Sequence, residues 1–229
     1  MEERHILFGV HEIEGIGWDT VDEIVAAVPD LRMLLAEPAT RLLAGTRVSR
    51  GKAARIEAVL TNDFIASKLN FYERLGITPV SRFDPLYPPL LAYGIEKPPW
   101  VLYAMGDVSL LAKTCIAVVG TRAPTAYGRE AAEWFGAELA AAGFPVVSGL
   151  AYGIDSYAHA GALRTSGATI AVLGNGLNVH YPPEHRALQR EIARRGLVVS
   201  EFRLDAKPTE KTFPLRNRLI AGIARATVV

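Results

Sequence analysis

Three stretches of this chain combine residue types that hold anions or could do chemistry. In "VVGTRAPTAYG" (residues 118–128) an apolar, β-branched run ends at Gly120 and continues with Thr121 and Arg122. A dinucleotide loop would place further glycines here, so that bare backbone meets a pyrophosphate. This loop offers instead a hydroxyl and a guanidinium, whose planar donor fork grips a phosphate bidentately and keeps its charge. The competing role for Arg122 is an ion pair with an acid such as Glu201. In "KTFPLRNRLIAG", Pro214 suits the first turn of a helix, and Arg216, Asn217 and Arg218 follow within that turn. Arginines at a helix start oppose the helix dipole, so they call for an anionic partner or a solvated face.

Other groupings imitate catalytic sites. Ser148, Asp155 and His159 supply the residue types of a hydrolase triad. Yet "VVSGL" lacks the G-x-S-x-G elbow, and an Asp in a first helical turn is expected from the dipole alone. His180, Glu184 and His185 have no further ligands at a recognisable metal spacing, so no metal and no cofactor are expected. Cys115 opens an apolar strand and reads as a buried structural thiol.

The elements that must position these residues follow from periodicity. From Cys115 onward, strand-like runs ("CIAVVG", "PVVSG", "TIAVLG", "LVVSE", "ATVV") alternate with helical segments at 125–142, 153–166, 183–195 and 215–224. Apolar strands with helical crossovers predict an α/β fold, a doubly wound and mostly parallel sheet of extended Rossmann-like type. Parallel strands bring their C-terminal ends to one edge. That edge receives Gly120-Thr121-Arg122, Ser148-Gly149, Gly174-Asn175-Gly176 and Ser200-Glu201, and a helix opening at Gly153 adds backbone N–H groups for an anion.

Residues 1–75 predict a small all-α domain, with Asp19 and Ser49 as caps and two short helices broken by Pro38. Within it, "IEGIGWDTVDEIV" has the h-x-G-h-G form of a helix-hairpin-helix turn. Residues 76–114 form a proline-rich connector with a leading strand in "WVLYAMGD", and 115–229 the Rossmann-like domain. A terminal strand with no helix behind it predicts that the domain continues beyond this chain. The 229 residues are half hydrophobic and carry a net charge of +1, so any nucleic-acid partner needs a local basic patch. One cysteine, no span-length apolar stretch and no signal-peptide order predict a cytoplasmic protein without membrane contact.

Together, "AVVGTRAPTAYG", "VVSGLAYGIDSYAHAGAL", "GATIAVLGNGLNVHYPPEH", "GLVVSEF" and "FPLRNRLIAG" resemble the DNA processing protein A (DprA, or Smf) family over residues 80–229. The helical start resembles that family's sterile-alpha-motif-like domain by position and helical content. The resemblance implies a non-enzymatic homodimer that binds incoming single-stranded DNA and loads the recombinase RecA onto it in natural transformation. It assigns phosphate binding to Arg122, to Ser148 and Gly149, and to Arg216, Asn217 and Arg218. The sheet-edge geometry adds Gly120, Thr121, Gly153 and Asn175. Tyr152 stands where many members carry a lysine; it joins Phe202 and Phe213 as a candidate for base stacking, with core packing the other role open to each. The alternative is a Rossmann-like enzyme such as a nucleoside monophosphate phosphoribohydrolase, whose P-G-G-x-G-T loop this chain lacks. A third reading is an interaction scaffold docking a partner through residues 1–75.

Overall fold

The computed structural model describes residues 1–165 and 168–229. The chain divides into two compact units, Met1–Pro85 with Pro99–Val101, and Leu86–Pro98 with Leu102–Val229.

In the first unit, helices α1 (Glu3–Glu12), α2 (Trp18–Ala27), α3 (Met33–Ala36), α4 (Ala39–Leu42), α5 (Arg50–Val59) and α6 (Asn62–Arg74) precede a strand, β1 (Ile77–Ser81). Their apolar stripes meet in one core that includes Ile6, Val10, Ile24, Ile56 and Ile65. Pro38 separates α3 from α4, as its missing N–H requires. Ser49 caps α5 by accepting from the Lys52 N–H at 3.4 Å. Asp19 is not the cap of α2: the helix opens two residues earlier, at Trp18 with Gly17 as its N-cap, and Asp19 sits inside the first turn, where a negative charge suits the dipole.

The second unit opens with a short helix, α7 (Pro89–Gly94), and then β2 (Val101–Gly106), which enters this unit at Leu102. There follow β3 (Cys115–Val118), α8 (Ala126–Ala141), β4 (Val146–Ser148), α9 (Ile154–Arg164), β5 (Thr169–Leu173), α10 (Arg186–Arg195), β6 (Leu197–Ser200), α11 (Thr212–Ile223) and β7 (Ala224–Val228). The sequence-expected helix 153–166 thus runs to Arg164, and its last position, Ser166, lies outside the described residues. Within this unit the strand order is β2-β6-β5-β4-β3-β7, parallel throughout except for β2 against β6. The fold is the expected α/β type, a mixed sheet with helices on both faces.

That order locates the site. From β3 the chain steps outward through β4 and β5 to β6, then returns by α11 to β7 on the other flank of β3. Right-handed crossovers put α8, α9 and α10 on one face and α11 on the other. The order therefore reverses between β3 and β7, and such a switch point leaves a crevice beyond the strands' C-terminal ends.

Candidate nucleic-acid interface

A cleft of about 350 Å³ opens at that switch point, lined by Gly120 after β3, Thr227 of β7, and Phe213, Arg216 and Asn217 of α11. Arg122 lines it too, and also lines a second, wider cleft of about 590 Å³ with Arg129, Tyr152, Gly153 and His185. Arg122 is exposed, and among the described residues its side chain has no ion-pair or hydrogen-bond partner. Glu201, the acid whose pairing with Arg122 is the competing expectation, pairs instead with Arg218. Burial pushes the Glu201 carboxyl up, and the Arg218 guanidinium works against that shift.

The loop carrying Arg122 is held at both ends. Thr121 Oγ1 accepts from the Ala123 N–H at 3.2 Å, and Thr125 caps α8 by accepting from the Gly128 N–H at 3.1 Å. The Ile154 N–H donates to the Thr121 carbonyl at 3.1 Å, tying this loop to the start of α9. Gly153 makes that approach feasible: its φ is +78°, and a Cβ there would lie 2.2 Å from the Thr121 oxygen.

The loop after β4 is built the other way, from buried polar groups. Ser148 is fully buried and donates to the Val118 carbonyl at 2.7 Å. Asp155 Oδ2 accepts from the Gly149 N–H at 3.0 Å and the Ala151 N–H at 3.3 Å. Burial pushes the Asp155 carboxyl up, while nearby Arg216 and the two amides pull it down. Leu150 is forced to a φ of 58°, a costly conformation for a branched residue, and His185 Nδ1 donates to its carbonyl at 2.9 Å. His159 lies beneath this loop, within electrostatic reach of His185 and Arg216. Its Nδ1 meets Thr169 Oγ1 at 2.7 Å; since that hydroxyl already donates to Val146, the imidazole nitrogen must be the donor. Complete burial pushes His159 down to about 3, so it is neutral at physiological pH. Ser148 and Asp155 together brace the loop after β4, while His159 is engaged with Thr169 of β5, so the three form no triad.

Arg216 is the unexpected member of the set. Its helix starts at Thr212, three residues before the sequence-expected start, so Arg216 and Arg218 occupy the second turn. Only 4% exposed, Arg216 uses Nη1 to donate to the Gly149 carbonyl at 2.6 Å and also to the Val172 carbonyl. A Cβ at Gly149 would stand 2.6 Å from the guanidinium carbon, so a larger residue there would displace Arg216 from this position. Burial pushes Arg216 down to about 10; Asp155 opposes that shift and Arg122 adds to it. Two guanidiniums therefore face one cleft, and Asp155, the acid lining it, is committed to two backbone amides.

The remaining expected residues divide in the same way. Asn175 is 1% exposed and spends its amide on the Gly176 and Val179 carbonyls, while Asn217 accepts from Arg216 Nε at 3.2 Å and is exposed. Buried side chains such as those of Ser148 and Asn175 shape the edge and present no donor to solvent. Phe213 lines the first cleft, its ring 5.1 Å from Tyr181. Tyr152 lines the second, with its ring 5.1 Å from His185 and its hydroxyl on Glu184. Phe202 is half-buried and is not among the described residues lining either cleft. Sequence reasoning missed Arg129, although it carries the same signal as Arg216: a cation in the first turns of a helix, against the dipole.

Comparison with known proteins gives this geometry a lineage. The family model for DNA recombination-mediator protein A matches residues 78–229. The chain is 45% identical over 150 residues to protein Smf of Synechocystis, covering 64% of this chain and 37% of that one. It is 38% identical to DNA processing protein DprA of Bacillus subtilis, over 69% of this chain and 53% of that one. The chain thus spans between about a third and a half of the length of these curated relatives. The crystal structure of DNA processing protein A from Streptococcus pneumoniae superposes with a TM-score of 0.79 at 28% identity, over 98% of this chain and 76% of that one. DNA processing protein A from Helicobacter pylori, described for its single-stranded DNA binding mode, gives a TM-score of 0.58 at 32% identity, over 66% and 67%. With two thirds of its length matched by the family model and the same fold in a solved member, the chain belongs to the DNA recombination-mediator protein A family.

Proposed function

We propose that this chain is the single-stranded DNA-binding part of a DNA-processing protein, and that the switch-point cleft holds the strand by its phosphates. The observation that carries this is the pair of guanidiniums, Arg122 and Arg216, facing one cleft without an uncommitted acid beside them. Arg122 is the direct ligand, with Asn217 and the backbone of Gly120 and Thr121 as further donors, and Arg129 serves the adjoining cleft. Arg216 contributes positive potential from beneath, and Arg218, already paired with Glu201, contributes less. Phe213 and Tyr152 offer ring faces on which bases of any sequence can stack. Loading of RecA, a homodimer and a role in natural transformation come with the family resemblance and extend the same reading. The reading is of a binder without chemistry on the strand, and it is supported by Asp155, whose Oδ2 accepts from two amides of the loop it braces.

The test is a titration of fluorescent single-stranded and duplex oligonucleotides at two salt concentrations, with Arg122→Ala in parallel. We expect binding to the single strand that weakens with salt and falls at least about tenfold in the variant. Equal affinity of variant and parent would overturn the site. Release of free base from nucleoside monophosphates would replace the reading with the phosphoribohydrolase alternative.

A further inference from the structure

Helix α10 carries four arginines against one glutamate in ten residues, whereas the whole chain nets +1. Glu191 is taken by Arg195 at 3.2 Å, and Arg195 also donates to the Thr165 carbonyl. Arg186, Arg190 and Arg194 are exposed, and among the described residues none of the three has a side-chain partner. Four-residue spacing keeps them on one side of the helix, about 6 Å apart along its axis. That interval is close to the spacing of successive phosphates along an extended strand.

Helix stability accounts only for Arg194, whose place in the last turn suits the dipole. Like charges four apart repel, and Arg186 lies at the positive end of the dipole. The position of the row points to a ligand. Arg186 directly follows His185, which lines the second cleft together with Arg122 and Arg129. At its other end, Arg190 and Arg194 rim a hollow of about 400 Å³ with His180, over Met105 and Leu177. The cations thus continue from the cleft in one dimension, a geometry suited to a repeating polyanion rather than to the scattered charges of an acidic protein surface.

We infer that a single strand leaving the second cleft runs along α10, its phosphates paired in turn with Arg186, Arg190 and Arg194. This inference rests on the single-stranded DNA reading of the cleft. The test measures affinity for a short oligonucleotide of about five nucleotides and a long one of about thirty. The proteins compared are the parent, the triple variant Arg186→Gln, Arg190→Gln, Arg194→Gln, and the corresponding triple lysine variant. The glutamine variant should bind the long strand at least about tenfold more weakly, with its salt slope reduced by about 2. It should bind the short strand as the parent does, and the lysine variant should recover the long-strand affinity. Unchanged long-strand affinity overturns the track and leaves the row to an acidic protein partner. Equal losses at both lengths, or no recovery with lysine, also overturn it. A parent that binds neither strand overturns the reading of the cleft itself, which is a different result from a parent that binds and a variant that matches it.

Discussion

Two arginines reach the switch-point cleft from different elements and are held in opposite ways. Arg122 stands on the loop between β3 and α8, exposed, with its backbone fixed by neighbours and its side chain unengaged. Arg216 rises from α11, is almost wholly buried, and binds one carbonyl of the loop after β4, that of Gly149, and one of β5, that of Val172. The first loop leaves its guanidinium free of the contacts that support it, whereas in the second one guanidinium both braces the backbone and charges the cleft. On the proposed reading, similar arginines near similar helix starts serve as ligand in one case and scaffold in the other, and burial decides which.

The sharpest way to break this comparison is Arg216→Ala. The change leaves two buried carbonyls without their donor and Asp155 without its counter-charge, at a cost of about 3–5 kcal/mol. Thermal melting should show a large fall, and any loss of DNA binding should track the loss of folded protein. A variant that melts like the parent yet no longer binds would make Arg216 a ligand instead. Arg122→Ala is the converse. It should leave the melting temperature unchanged and cost about 1.5–3 kcal/mol of affinity for a single strand, the worth of a hydrogen bond to a charged group. A substantial drop in melting temperature would show that the exposed loop also carries structural load.

Much of this was legible beforehand. Strands β3 to β7 announced themselves as apolar runs ending in small or polar residues, and that pattern correctly assembled the sheet edge. Pro38 and Ser49 gave local signals that local structure obeyed. The sequence did not reveal β1, because Ile77–Ser81 is short and holds a proline inside a proline-rich stretch. Nor could it separate Arg122 from Arg216, or pair Glu201 with Arg218 rather than Arg122, since those outcomes depend on which chains cross at the switch point. Ser148 and Asn175 looked like donors at the edge for the same reason; their neighbours in space, Val118 and Val179, consume them.

The buried side of the comparison also has a pH signature. His159 is held neutral by burial, down to about 3 from an ordinary 6.5, so the unfolded chain binds a proton that the folded one refuses. Stability is therefore fully present above about 6.5 and is lost as pH falls toward 3, by up to about 1.4 kcal/mol per pH unit. Denaturant melts between pH 7 and 4 should show a shallower acid loss for His159→Gln than for the parent. Equal slopes would mean that the imidazole is protonated within the fold.

The smallest effect tests the exposed side. Thr125 caps α8 three residues after Arg122 and touches neither cleft. Thr125→Ala should cost about 1 kcal/mol of stability, the usual worth of an N-cap, while DNA affinity stays within about twofold of the parent. If affinity drops as far as in Arg122→Ala, the loop's frame and its ligand are coupled after all, and the separation drawn between the two loops fails. If only stability drops, recognition on this loop belongs to one unpartnered guanidinium, and the backbone around it is interchangeable support.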